Sequence, residues 1–172
     1  MNYNKSMRKN SRNMTGFTLI ELMVTVAVLV IVMMIGVPSI VQLKRNNELV
    51  TATNSIVTAL NMAKSEAVKR GVDVSVNSIG GDWANGWTVD IDGGALVRVY
   101  DAPSAETSVN VAQASVTYQA LGNVTNAVCF DIQVPLNEDV GTTIDRSVDI
   151  NTGGRIATCR VLCAAIGPGN CD

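Results

Sequence analysis

One long apolar segment constrains this chain more than any other feature of its sequence. No residue from position 22 to position 43 is charged. As an α-helix, the wider span 17–41 would reach roughly 37 Å, enough to cross a bilayer core of about 30 Å. A cleaved secretory signal is the alternative, but its apolar region is normally about 7–15 residues long and ends in small residues. This segment is longer and ends in GVPSIVQLKRN, so we predict a transmembrane segment at 17–41.

The charges on either side of this segment predict its orientation. Residues 1–16 contain four basic side chains and no acid, whereas only Lys44 and Arg45 closely follow the segment, before Glu48. The more basic flank of a membrane helix stays in the cytoplasm. We therefore expect a cytoplasmic N-terminus and an exported region from about residue 45 onward.

The cysteines agree with export, because all four lie in that later region: Cys129, Cys159, Cys163 and Cys171. An even set in an oxidising compartment predicts disulfides, with three pairings open. A zinc site is the alternative, but the chain has no C-x-x-C sequence and no histidine. The lack of histidine also removes the commonest general base and the usual nucleophile systems. We predict no catalytic residues, no metal and no cofactor.

The helix is expected to continue beyond the membrane. Apolar or small residues recur there at the three- and four-residue spacing of one helix face, namely Leu49, Ala52, Ile56, Ala59, Leu60, Ala63 and Ala67. The sequence KRG at 69–71 supplies cations for the last turn and a glycine cap. The pattern predicts one helix over 17–70 with a membrane half and an amphipathic half, kinked near Gly36 and Pro38.

Past Gly71 the apolar period changes to two residues, which is typical of strands. The alternating segments are 72–76, 87–91, 96–100, 115–118, 128–134 and 147–150. The amphipathic half of the helix is the available cover for one face of such a sheet. We predict an α+β fold in which the long helix packs on a small antiparallel β-sheet head, residues 71–172. That head carries four basic and twelve acidic residues, unlike a general phosphate-binding surface.

Glu21 is the one acid near the start of the apolar segment. A carboxylate at the membrane centre is disfavoured by roughly 2.5–3.5 kcal/mol, and by less near the interface. One explanation is local: Thr18 precedes Glu21 by three residues, so the two side chains could form a capping box at the helix start. The other explanation is a positive partner from outside the chain.

The sequence GFTLIELMVTVAVL resembles the type IV prepilin signature. The resemblance implies cleavage of a basic leader, residues 1–16, between Gly16 and Phe17 by prepilin peptidase. It also implies N-methylation of the new amine on Phe17, and assembly in which Glu21 lies near that amine on a neighbouring subunit. The implied partners are other pilin or pseudopilin subunits, the prepilin peptidase, an inner-membrane assembly platform and membrane lipid.

The head sequence GDWANGWTVDIDG, residues 81–93, resembles the paired-tryptophan segment of GspH/FimT-type pseudopilins and minor pilins. We interpret Trp83 and Trp87 as fastening a hairpin to the core rather than stacking on a ligand. Asp90 and Asp92 precede a glycine pair, and we interpret them as part of a turn rather than a calcium site.

The tail sequence GRIATCR resembles the glycine-arginine segment of FimT/FimU minor pilins, some of which bind DNA. Arg155 matches, but Ala157 stands where a second arginine is expected, and Arg160 follows three residues later. DNA binding through these arginines is thus one hypothesis. In the structural interpretation, they flank a final strand whose Cys159 is tied to Cys129, while Cys163 and Cys171 close a terminal loop.

The resemblance implies a structural, non-enzymatic subunit of a type IV pilus tip or initiation complex. It would be a single-pass protein of the bacterial inner membrane, with a periplasmic head, that later enters the filament. A type II secretion pseudopilus subunit of the GspH type is the first alternative. A pilus-borne DNA receptor is the second.

Overall fold

The computed structural model describes residues 16–92, 94–135 and 143–171. Of the leader predicted at 1–16, only Gly16 lies within this part of the chain. The elements, in chain order, are α1 Leu19–Arg70, β1 Val74–Ser78, β2 Trp87–Ile91, β3 Ala95–Tyr100, β4 Ser108–Asn110, β5 Ser115–Tyr118, β6 Val128–Pro135, β7 Thr143–Ile150, β8 Ile156–Cys159 and α2 Cys163–Ile166. The chain divides into two units, one ending at Ser39 and the other beginning at Ile40. The predicted α+β class is confirmed.

Helix α1 begins and ends through local hydrogen bonds that the sequence indicated. At its start, the Oγ1 atom of Thr18 accepts a hydrogen bond from the backbone N–H of Glu21 at 3.3 Å. At its end, Gly71 takes a left-handed conformation with φ +68° and donates its N–H to the carbonyl of Ala67 at 2.9 Å. This geometry confirms the predicted glycine cap. Glycine is suited to the position because that backbone conformation is strained for other residues.

The first half of α1 leaves its apolar side chains uncovered. Every large apolar side chain from Phe17 to Leu43 is exposed, with between 40 % and 78 % of its surface accessible. An 18-residue window within the helix reaches a mean hydropathy of 2.7, and none of that window is buried. By length and composition this segment could cross a membrane, as predicted. Helix α1 runs without a break through Gly36 and Pro38. A kink at these residues stays a prediction.

In the second unit, the predicted stripe of α1 is buried and forms part of the core. It comprises Leu49, Ala52, Ile56, Ala59, Leu60, Ala63 and Ala67, none of them more than 5 % exposed. The same core takes in buried residues of two four-stranded sheets, ordered β3-β2-β1-β5 and β4-β6-β7-β8, with all pairings antiparallel. The alternation pattern had suggested one sheet. There are two because β4, between β3 and β5 in the chain, pairs with β6 instead.

Strand bounds agree best where apolar alternation is strict. The predicted segments 87–91 and 115–118 match β2 and β5 to the residue, whereas β1 starts two residues later than expected and β7 starts at Thr143 rather than at 147. The three-residue strand β4 was missed, since so short a segment carries almost no periodic signal.

The two tryptophans join the sheets. Trp87 on β2 lies roughly parallel to Tyr100 with ring centroids 6.1 Å apart, and Trp83 meets Phe130 of β6 edge-on at 4.8 Å. Trp83 also donates its Nε1–H to the carbonyl of Gln113 at 2.9 Å. Both indoles are at most 3 % exposed. The prediction that they fasten the hairpin to the core is confirmed.

A glycine contact holds the loop before β8 against the loop after β5. Gly154 is buried with φ +73°, and a Cβ atom added there would lie 2.0 Å from the carbonyl oxygen of Gly122. The Nζ atom of Lys64 on α1 donates to the carbonyl of Gly154 at 2.8 Å. The glycine before Arg155 therefore has a packing role in this chain.

We expect Gly154→Ala to lower the free energy of unfolding by about 3 kcal/mol or more, because overpacking typically costs about 1–3 kcal/mol and backbone strain a further 1–3. The matched control is Gly81→Ala, where φ is +83° but no atom lies within 4 Å of the added Cβ. The control carries the backbone strain alone. Urea unfolding of the full chain in detergent, followed by fluorescence of Trp83 and Trp87, measures both variants. Equal losses for the two would contradict the close-contact explanation.

Candidate assembly surface

The predicted cleavage and methylation residues lie just ahead of α1. Gly16 and Phe17 are both exposed, Phe17 with 77 % of its surface accessible. An added Cβ at Gly16 would have no atom within 4 Å. The peptide bond between these residues is outside the helix, so a peptidase could reach it without unwinding regular structure. Cleavage and N-methylation themselves stay predictions.

Glu21 has only half of the capping box that its spacing allowed. Thr18 accepts the backbone N–H of Glu21, which is the first half of the motif. In the described ranges, the Glu21 carboxylate makes no hydrogen bond or ion pair, and its side chain is exposed among apolar neighbours. Thr18 therefore explains how the helix starts but does not supply a partner for the Glu21 charge.

Arg45 has a role that the sequence analysis missed. It had been taken as a flanking cation of the membrane segment, yet it is only 8 % exposed. Its Nη1 atom donates to the carbonyl of Pro135 at the end of β6 and lies 3.3 Å from a carboxylate oxygen of Glu106. Its position in the helical repeat could have indicated this burial. Arg45 precedes Leu49 by four residues and therefore lies on the same face of α1 as the buried stripe. This cation ties the base of the head to α1.

The disulfides confirm that all four cysteines pair, but the suggested pairing was wrong. The bonds join Cys129 to Cys163 and Cys159 to Cys171, with Cα atoms 5.8 and 6.0 Å apart. Cys129 is on β6 and Cys159 is on β8, with β7 between them. Two strand spacings alone separate these residues by about 9.5 Å, and they are also two residues out of register, so they lie beyond the reach of about 7 Å that a disulfide allows. Strand order therefore excludes the Cys129–Cys159 bond.

The Cys129–Cys163 disulfide lies within the one group of side chains that resembles a metal-ligand set in the described part of the chain. Cys129, Asp131 and Cys163 have ligand atoms within 4.8 Å of one another. The two sulfurs are bonded together, and the Oδ1 atom of Asp131 accepts the N–H of Cys163 at 2.7 Å. Asp90, considered for calcium, likewise accepts hydrogen bonds from Asn77 and Thr88.

The C-terminal tail is fixed by a buried carboxylate and an arginine. Asp149 is 2 % exposed and accepts the backbone N–H groups of Gly169 at 2.6 Å and Cys171 at 3.0 Å. Arg155 donates from Nη2 to the carbonyl of Cys171 at 3.0 Å. Arg155 and Arg160 flank β8 as expected and both are exposed. DNA contact through them stays a prediction, although Arg155 already has a structural partner.

Among the described residues, two titrating groups have a shifted pKa, namely Tyr118 on β5 and Glu66 near the end of α1. Burial raises the pKa of the Tyr118 hydroxyl well above its ordinary value, and that hydroxyl has no hydrogen-bond partner among the described residues. A hydrogen bond from Arg70 at 2.6 Å lowers the pKa of the partly buried Glu66 carboxyl.

We expect peptide mapping without reductant to recover Cys129 linked to Cys163 and Cys159 linked to Cys171. Trypsin alone leaves Cys163 and Cys171 on one peptide, because no lysine or arginine lies between them. Elastase cleavage after Ala164 or Ala165 separates the two. A linked pair containing Cys129 and Cys159 would contradict the strand order β6-β7-β8. A reduced and alkylated sample serves as the control.

Two family models match the chain. The model described as type II transport protein GspH matches residues 52–154, and the prokaryotic N-terminal methylation motif matches residues 11–37. The first covers most of the head and the second covers the start of α1. Comparison with curated protein sequences gives no match.

Solved structures of the type IV minor pilin FimU from Pseudomonas aeruginosa are similar in fold. In one crystal form the identity is 23 % and the TM-score 0.57, over 74 % of this chain and 97 % of FimU. In a second crystal form the identity is 21 % and the TM-score 0.51, over 71 % of this chain and 98 % of FimU. The long N-terminal helix followed by an antiparallel head is therefore the pilin fold.

Proposed function

The chain belongs to the GspH family and is a structural subunit of the type IV pilin class, and on this premise we propose that it is a minor pilin of a type IV pilus tip or initiation complex. Prepilin peptidase removes residues 1–16, the new amine of Phe17 is methylated, and α1 carries the subunit into the filament. The observation that carries the proposal is the exposed apolar half of α1, which begins with a capped helix start and an unpaired acid.

The pairing of Glu21 with a neighbour's terminal amine follows from electrostatics. A carboxylate and an ammonium about 4 Å apart attract by roughly 4 kcal/mol at an effective dielectric of 20. The insertion cost of the acid is at most about 2.5–3.5 kcal/mol and falls near the membrane interface. An intermolecular pair thus offsets the cost of Glu21, and it exists only after cleavage places the ammonium on Phe17.

The flanking charges support a single-pass topology in the bacterial inner membrane, with the N-terminus in the cytoplasm and the head in the periplasm. Lipid covers α1 before assembly, and an assembly platform in the same membrane transfers the subunit to the filament. Two disulfides in the head are consistent with an oxidising compartment.

A type II secretion pseudopilus is the second candidate, because the matched family model is described as type II transport protein GspH. The two candidates predict different fates for the protein. A pilus subunit should co-purify with surface filaments, and deleting its gene should reduce those filaments while leaving protein secretion intact. The opposite pattern would establish the pseudopilus.

We expect Glu21→Ala to reduce incorporation into filaments by about tenfold or more, since the lost pair is worth several kcal/mol, while cleavage after Gly16 continues. The matched control is Thr18→Val, which removes the cap of α1 but keeps the acid. Immunoblots of sheared filaments and of membranes measure both variants. An assembly defect in Thr18→Val equal to that of Glu21→Ala would show that Glu21 acts only in helix capping.

A further inference from the structure

One face of the second sheet contacts the tail, residues 160–171, through two cysteines and two aspartates. Directly paired residues of antiparallel strands point to the same face, and so do residues two positions apart on one strand. Two neighbouring rows therefore share this face across β6, β7 and β8: Cys129, Asp149 and Ala157 in the first, and Asp131, Ser147 and Cys159 in the second. Each row contains one sheet cysteine, Cys129 or Cys159, and one aspartate.

Asp131 contacts the backbone of Cys163 beside the Cys129–Cys163 disulfide. Its Oδ1 atom accepts the N–H of Cys163 at 2.7 Å. Asp131 is the second residue after Cys129 on β6, so the carboxylate and the sulfur that contact Cys163 lie on one face of one strand. Earlier in the tail, the Oγ atom of the fully buried Ser147 donates to the carbonyl of Val161 at 2.7 Å. These hydrogen bonds place Cys163 next to Cys129 independently of the covalent bond.

Asp149 holds Cys171 beside Cys159 in the same manner. Its two carboxylate oxygens are buried with the side chain and accept separate N–H groups, Oδ1 from Gly169 at 2.6 Å and Oδ2 from Cys171 at 3.0 Å. Arg155, just before β8, donates from Nη2 to the carbonyl of Cys171 at 3.0 Å. The backbone of Cys171 is thus fixed on both sides, next to the row that contains Cys159.

The observed disulfide pairing is not the one that proximity along the chain favours. Cys159 and Cys163 are four residues apart, whereas the observed bonds span 34 and 12 residues. The entropy cost of closing a flexible loop rises with its length, so an unfolded chain would form Cys159–Cys163 most readily and leave Cys129 to bond with Cys171. The order of β6, β7 and β8 excludes only the Cys129–Cys159 bond. Another interaction must therefore select the observed pairing.

We propose that Asp131 and Asp149 select the disulfide pairing, because each holds one of the tail cysteines, Cys163 and Cys171, beside its sheet cysteine before the bond forms. The proposal concerns the head alone and does not rest on the proposed function. The two aspartates act as positioning residues for the thiols. They bind the tail backbone and exchange no proton or electron in the reaction.

Each bond forms by exchange with a disulfide oxidant, which in vitro is glutathione disulfide. One cysteine thiolate attacks the oxidant and releases a glutathione thiolate, and the second cysteine thiolate then displaces the other glutathione from the mixed disulfide. Two cysteine thiols thereby lose two electrons and two protons, and glutathione disulfide becomes two glutathione thiols. The position of the tail decides which cysteine thiolate reaches the mixed disulfide first.

Oxidative refolding of the full chain tests the selection. The chain is reduced and unfolded in urea, refolded in detergent with glutathione and glutathione disulfide, and quenched with acid, after which monomers with two disulfides are isolated. Digestion with trypsin and elastase, followed by mass spectrometry, distinguishes Cys129–Cys163 from Cys159–Cys163. We expect Asp131→Ala to lower the ratio of the first linkage to the second by about tenfold or more, since a hydrogen bond to a charged acceptor is lost.

Conservative variants separate positioning from charge. Asp131→Asn keeps an oxygen that accepts the one N–H bound there, so it should restore most of the wild-type ratio. Asp149→Asn should lower the ratio, because both oxygens of Asp149 accept N–H groups and an amide has only one acceptor oxygen. The matched control is Asp145→Ala, on the same face of β7, because Asp145 makes no hydrogen bond to the tail among the described residues.

An unchanged ratio in Asp131→Ala and Asp149→Asn would overturn the proposal, even if both variants unfold at lower urea concentrations. The aspartates would then stabilise the head without selecting its bonds. An equal fall in Asp145→Ala would also overturn it, since any weakening of the head would then disturb pairing. If Asp149→Asn yields no monomer with two disulfides, the Asp131 variants decide: a fall in Asp131→Ala that Asp131→Asn restores supports the selection, and no fall overturns it.

Discussion

The apolar surface that the first half of α1 leaves uncovered is the constraint on which the rest of this structure depends. Fully burying one large aliphatic side chain is worth about 1.5–3 kcal/mol, and every such side chain from Phe17 to Leu43 is exposed. Only lipid or other helices can cover that surface. Lipid tails are as apolar as leucine, so the hydrophobic effect does not select between them and helices. Packing and polar pairs must then select the neighbouring helices, and this is the reason we propose a role for Glu21 in assembly.

The second half of α1 differs from the first, because its apolar stripe is covered within the subunit by the head. The stripe from Leu49 to Ala67 lies in one core with both sheets, and Arg45 extends that attachment to the base of the head. The disulfides then fix the tail, which begins beyond β8 and lies against Asp149. One helix thereby carries two interfaces, one within the subunit and one left for its neighbours.

Local periodicity predicted much of this fold, and non-local pairing accounts for what it did not predict. The helix end at Gly71, the buried stripe and strands β2 and β5 follow from spacing alone, since each reflects neighbours within a few residues. Cys129 does not pair with Cys159 because β7 separates β6 from β8, and a local segment of sequence does not reveal strand order. The contacts of Arg45 were missed because it had been considered only as a charge that flanks the membrane segment. At the candidate site, the roles of Gly16, Phe17 and Glu21 stay predictions, while the contacts of Arg45 emerged only from the packing of α1 on the head.

The most direct test of the central claim is the intact mass and first residue of the chain purified from assembled filaments. Pairing between Glu21 and a neighbour's ammonium requires the chain to begin at Phe17, with the mass of residues 17–172 plus one methyl group and less four hydrogens for two disulfides. Filaments built from chains that retain residues 1–16 would contradict it, because the Phe17 nitrogen would then be a neutral amide with no charge to offer Glu21.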